Sequence, residues 1–212
     1  MSDTGNGDFE FERRFLARDV PADMLDDAPA LIVQSYFLAE DGYALRVRAQ
    51  VPALPVLPSP PGPGADERTL LEAYAEHVDF CAVTVKGPMV GGTRYEAERE
   101  LDPEVGVEMV RRGGARVAKL RHAVWLGDDG WVVDVFLGAN AGLVIAEVER
   151  GGPVTDLAIP SFCVTELTAD ARFANDALAV RPYRGWAGEW EAELARTGPR
   201  FLPGFGHDHR MV

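Results

Sequence analysis

Between residues 8 and 150 the chain repeats one arrangement: short β-like runs with charges on one face, often two of like sign, and apolar groups on the other. In a strand, residues i and i+2 share a face. Glu10, Glu12 and Arg14 therefore point one way, while Phe9, Phe11 and Phe15 mostly line the other. Arg46 and Arg48 alternate with Leu45 and Val47, and Thr84 and Lys86 with Val83 and Val85. Arg94, Glu96 and Glu98 alternate with Tyr95 and Ala97, Lys119 and Arg121 with Ala118 and Leu120, and Glu147 and Glu149 with Ala146 and Val148. Asp134 shares a strand with Val132 and Phe136.

For any single pair the plain reading is a solvated outer face over an apolar core. That reading weakens when nearly every strand repeats it with doubled like charges. Paired arginines or paired glutamates on one face repel, and a surface that needs only solubility mixes its signs. If the sheet closes with its charged faces inward, acidic and basic pairs meet across a lumen and compensate. Such a lumen suits a polyanion accompanied by hard divalent cations. Glutamates supply oxygen ligands to Mg²⁺ or Mn²⁺, and arginines grip non-bridging phosphate oxygens with forked hydrogen bonds. Phosphoryl transfer needs mainly positioning and charge neutralisation.

The rest of the chain is consistent with one domain over residues 8–200, interrupted by a Pro/Gly-rich and then helical insertion at 52–77, and followed by a mobile tail at 201–212. Strands are expected at 8–16, 30–38, 43–51, 78–86, 93–101, 115–126, 130–137 and 142–150, with a short one near 163–168. Helices are expected at 67–77, from the cap Asp102-Pro103 to Gly113-Gly114, and near 170–179 and 184–196. The fold class is α+β, mainly antiparallel β, with strands enough for a closed barrel. The net charge of −13 disfavours a nucleic-acid partner. No apolar run reaches the length of a membrane span and no signal peptide is visible, so a cytoplasmic protein is expected. Cys81 and Cys163 read as buried thiols. Lys86 and Lys119 are the only lysines among 21 basic residues, which draws attention to both.

The order of these motifs resembles the CYTH family, the triphosphate tunnel metalloenzymes. Glu10-Phe11-Glu12-Arg13-Arg14 resembles the family's ExExK signature, and Gln34-Ser35-Tyr36-Phe37-Leu38 its Q-G-Y-L strand. Arg46-Val47-Arg48 looks like R-x-R, Thr84-Val85-Lys86-Gly87 like T-x-K-G, and Arg94-Tyr95-Glu96-Ala97-Glu98 like R-x-E-x-E. Lys119-Leu120-Arg121 matches K-x-R, and the run from Trp131 through Glu149 resembles the W-x-x-D-x-F block and its A-E-x-E end. Glu166-Leu167-Thr168, Arg172 and Asn175 are similar to the E-V-T…R-x-x-N ending.

The resemblance implies an eight-stranded antiparallel tunnel with helices outside. It implies metal binding, by two Mg²⁺ or Mn²⁺ ions, at Glu10, Glu12, Glu147 and Glu149, with Asp134, Glu96 and Glu98 assisting. It implies triphosphate binding by Arg14, Arg46, Arg48, Lys86, Arg94, Lys119 and Arg121, and catalysis centred on Glu12, Lys119 and Glu147. The expected activity is metal-dependent cleavage of inorganic triphosphate to pyrophosphate and phosphate. Alternatives are an adenylate cyclase, a nucleoside or thiamine triphosphatase, or a non-catalytic polyphosphate or nucleotide binder. The expected partner is a small-molecule triphosphate, without nucleic acid or membrane, and homodimerisation stays open. Two features depart from the family pattern. Arg14 stands where the signature ends in lysine, and residues 52–77 replace a short hairpin, either over a tunnel mouth or without consequence. His207 and His209, on a Gly-rich tail, and Trp186 and Trp190, one helical turn apart, read as structural rather than functional.

Overall fold

The computed structural model describes residues 9–25, 28–52 and 65–211. The first residue of the first expected strand, and most of the proline-rich stretch, lie outside the described residues. Strands form at Phe9–Ala17 (β1), Ala30–Glu40 (β2), Tyr43–Val51 (β3), Phe80–Lys86 (β4) and Thr93–Leu101 (β5). They continue at Arg116–Leu126 (β6), Asp129–Phe136 (β7) and Val144–Arg150 (β8), with short strands Ala158–Ile159 (β9), Cys163–Glu166 (β10) and His209–Arg210 (β11). The helices are Glu67–Tyr74 (α1), Pro103–Arg112 (α2), Asn175–Val180 (α3) and Ala187–Thr197 (α4).

Going round the sheet, the order is β1-β5-β4-β3-β2-β6-β7-β8, and β8 pairs back onto β1, so eight antiparallel strands close a barrel. The seam is β1 against β8, with Glu12 opposite Glu149 and Arg14 opposite Glu147. β1 is shared on its other edge: Phe9–Phe11 pair with β5, and Phe15–Ala17 with β10. Closure leaves no long open edge, which removes the usual liability of a large sheet.

The outward side chains build two apolar layers. Leu31, Val33, Val47 and Ala49 pack with α1 and α2 through Leu70, Leu71, Val107 and Val110. Asp102 caps α2, accepting from the Val105 amide at 3.1 Å, with Pro103 in the first turn as its sequence predicts. Gly106 and Gly113 let α2 lie flat on the barrel, since a Cβ there would come within 2.2 Å of Cys81 and 2.4 Å of Ser35. On the opposite side Phe15, Trp131, Val133 and Val148 pack against 154–163.

A third cluster shuts one end of the barrel. Inward residues Leu16, Tyr36, Val117, Phe136 and Ile145 meet Phe173, Leu178, Tyr183, Trp186 and Trp190. Phe173 is wedged between the two tryptophans, with ring centroids 5.2 and 4.8 Å away. Trp186 and Trp190 are thus structural, as expected, but they plug the barrel's end rather than its side.

Three expectations change. The single helix expected near 170–179 is a 3-10 turn at Ala171–Phe173 followed by α3, because extended Ala174 (ψ 141°) turns Phe173 into the plug. The described part of the insertion neither covers a mouth nor dangles, since α1 buries Leu70, Leu71 and Tyr74 on the barrel wall. The tail, expected to be mobile, is docked. β11 pairs in parallel with β9, Asp208 accepts from the Leu157 amide (2.9 Å) and from Arg13 (2.7 Å), and Phe205 stacks on the Arg13 guanidinium at 4.4 Å.

Candidate active site

Eight strands turn their inner faces into one cavity of about 410 Å³, and six of them, all but β2 and β7, bring charged side chains to its lining. Six cations line it, Arg46, Arg48, Lys86, Arg94, Lys119 and Arg121, together with six carboxylates, Glu10, Glu12, Glu96, Glu98, Glu147 and Glu149. Period two on each strand sets which residues point inward, and register sets which meet. The seam gathers Glu10, Glu12, Glu147 and Glu149 from the two ends of the barrel sequence into one acidic wall. Arg46 and Arg48 of β3 and Lys119 and Arg121 of β6 flank β2 and make a basic wall.

The cations and carboxylates pair with one another across the lumen. Lys86 Nζ lies 2.6 Å from Glu96 and 3.1 Å from Glu10. Arg94 donates to Glu10 and, at 3.2 Å, to Glu12. Arg48 donates to Glu98 at 2.8 Å, and Arg46 to Gln34 at 3.1 Å. Glu147 accepts from Arg121 at 3.3 Å, whereas Glu149 has no ion pair or hydrogen bond among the described residues. Among the described residues the buried Nε–H groups of Arg46 and Arg48 have no acceptor, donors left for an anion.

The proton affinities follow from crowding. Burial raises Glu12, and the Glu147 and Glu10 charges raise it further, against Arg14 and Arg94. Burial, with the charges of Glu10 and Glu12, likewise raises Glu149. Burial raises Glu96 as well, aided by Glu10. Burial would also raise Glu10, but Lys86 and Arg94 outweigh it and hold that carboxyl below the usual range. Burial lowers Lys86, reinforced by Arg46 and Arg94, and burial lowers Lys119 despite the nearby Asp134.

Two residues from the sequence reading sit elsewhere. Asp134, expected to assist at a metal, is fully buried behind the lining. Arg121 forks onto it at 2.8 and 2.7 Å and Lys119 donates to it as well, so it orients the basic wall instead. Arg14 is not part of the cavity's described lining; it donates to the Phe173 carbonyl at 3.1 Å and lies 3.6 Å from Glu12. Gln34 and Asn175 also line the cavity, though the sequence assigns neither a role there. Gln34 orients Arg46 and donates to the Tyr36 hydroxyl at 2.9 Å. A polar residue inside the apolar run 30–38 was the available signal.

No family profile matches the chain. The inorganic triphosphatase of Acetivibrio thermocellus is 34% identical over 106 residues, covering 49% of this chain and 68% of that protein. The chain belongs to the CYTH, or triphosphate tunnel, family. The crystal structure of the inorganic triphosphatase NE1496 is similar too, at 25% identity and a TM-score of 0.51, over 81% of this chain and 94% of that one. A second structure, of hypothetical protein NE1496, gives 26% identity and a TM-score of 0.50, over 81% and 97%.

For a CYTH protein the remaining question is whether this lining fits a divalent ion. Among the described residues no three acidic, histidine or cysteine groups are already gathered at ligating distance. The chemistry of the donor set fits nonetheless. The acidic wall offers only carboxylate oxygens, the ligands of a hard cation, and three of the six cavity glutamates hold their protons more tightly because of burial and each other. A cation among them relieves that repulsion.

Proposed function

We propose that the chain hydrolyses inorganic triphosphate to pyrophosphate and orthophosphate inside the barrel, with divalent cations. The carrying observation is the cavity's balance: six cations face six carboxylates, all from strand faces turned inward. A lining with no net charge holds a polyanion poorly by itself, but it holds a polyanion and its cations together well. Similarity to two triphosphatases supports the same reading.

Glu10, Glu12, Glu147 and Glu149 would hold the ions, with Glu96 and Glu98 across the lumen. When bound, such ions neutralise phosphate oxygens and acidify coordinated water. Arg46 and Arg48 present unpaired Nε–H groups to non-bridging oxygens. Arg121 and Lys119, fixed by Asp134, supply positive charge where the leaving oxygen gains its negative charge. Attack of water on phosphorus breaks the phosphoanhydride bond, and the water's proton passes to the carboxylates of the acidic wall. Among the described residues the lining contains no aromatic ring, so nothing in it stacks on adenine or thiamine.

The test is phosphate release from tripolyphosphate, ATP and thiamine triphosphate in parallel, with Mg²⁺, Mn²⁺ or EDTA. Metal-dependent release chiefly from tripolyphosphate is expected, and Glu147→Gln should lower it at least a hundredfold with an unchanged melting curve. Cyclic AMP from ATP, or binding without turnover, would replace the proposal with a cyclase or a polyanion binder.

A further inference from the structure

The plug of aromatic rings shuts the inner end of the tunnel. Beside it lies a second cavity of about 420 Å³, between the β2–β3 turn at Gly42, the β4–β5 turn at 88–92 and the segment 168–177. Arg94 lines both this cleft and the tunnel cavity. Arg14 lines only the cleft; it is 4% exposed, and among the described residues its Nε–H has no hydrogen-bond acceptor.

These placements give two guanidinium groups standing between the tunnel and a solvent cleft. We infer that the cleft is a second port of the tunnel, through which orthophosphate lodged at the closed end departs. The inference rests on the hydrolytic reading above and adds a route to it. A product at the inner end of a one-mouthed tunnel is trapped behind pyrophosphate and its cations. A wall of arginine side chains is a suitable partition, because it offers an anion successive hydrogen bonds on both sides. Asp176 also lines the cleft and adds one carboxylate to its lining. The departure at Arg14 gains a role here: the longer, forked side chain reaches the Phe173 carbonyl and frames the port while its Nε stays 3.6 Å from Glu12 of the tunnel.

The test fills the cleft from two different elements, with Ala177→Trp on α3 and Ala171→Trp on the preceding turn, neither of which lines the tunnel. Single-turnover cleavage of tripolyphosphate should keep its wild-type rate in both variants. Steady-state release should fall at least fivefold, with a burst of bound product. Separately, orthophosphate is titrated into protein saturated with imidotriphosphate and Mg²⁺. Wild-type protein should bind it, and Ala177→Trp should weaken that binding at least tenfold. Wild-type steady-state rates in both folded variants, or no orthophosphate binding once imidotriphosphate is present, would overturn the port. If wild-type protein releases no phosphate from any triphosphate, the hydrolytic reading fails instead, and the orthophosphate titration alone decides whether the cleft takes an anion.

Discussion

Single residues in this protein are understood through what they touch across the barrel. Asp134 shows it best. The family resemblance implies a metal-assisting role for it, yet both its oxygens accept from Arg121 and one from Lys119, entirely out of solvent. Burial alone would raise its pKa, but the two cations hold it below the ordinary carboxylate range. The sign follows: a lowered folded pKa contributes stability above the unfolded value near about 3.9, which is lost as pH falls through the folded one. Asp134→Asn is therefore expected to cost about 3–5 kcal/mol at neutral pH, the usual penalty for orphaning one side of a buried pair. In urea titrations at pH 7, 5 and 3 the gap to wild type should hold from pH 7 to 5 and begin to narrow at pH 3 without closing; a gap independent of pH would refute it. The inward set itself was legible in the sequence, because alternation assigns a face before any partner is known. Asp134's partners, Gln34's orienting bond and Arg14's turn toward Phe173 were not, because each depends on which side chain competes for the same oxygen or nitrogen.

Elements were legible where the signal is local and obscure where a distant partner decides. The cap at Asp102, the proline after it and the glycine stop of α2 all appear as expected. The tail carried no such mark, since His209–Arg210 is a strand only because β9 lies beside it. The anchor of that tail is Arg13, an arginine on the apolar outer face of β1 with no exposed surface. It forks onto Glu166 at 2.8 and 2.8 Å and reaches Asp208 from 195 positions away. Asp208→Asn should destabilise the fold by about 1.5–3 kcal/mol, the range for hydrogen bonds to charged groups, while phosphate release stays unchanged. A shift in turnover without a shift in the urea midpoint would show that the tail acts on the tunnel directly.

At the scale of the whole molecule, a net charge of −13 surrounds a cavity whose lining is balanced. Attraction for a free polyanion is accordingly weak, and the cation decides binding. Glu147→Gln protein, which should not consume its ligand, is expected to gain about 2.7 kcal/mol of stability at a hundredfold excess of tripolyphosphate over Kd. That gain should vanish in EDTA, read as the loss of the melting shift; an equal shift in EDTA would mean the arginines suffice alone. The β1–β8 seam has a consequence for biogenesis. The strand that begins the barrel finds its long partner only after residue 144 has been made, with β1 and β8 paired from Leu16–Ile145 to Phe11–Arg150. Until then β1 keeps a bare edge while the middle strands zip in hairpins, so the slow, high-contact-order event in maturation is the last one. That event also presses Glu12 against Glu149, so the ring shuts against electrostatic resistance, and a divalent ion present in the refolding buffer should hasten its closing.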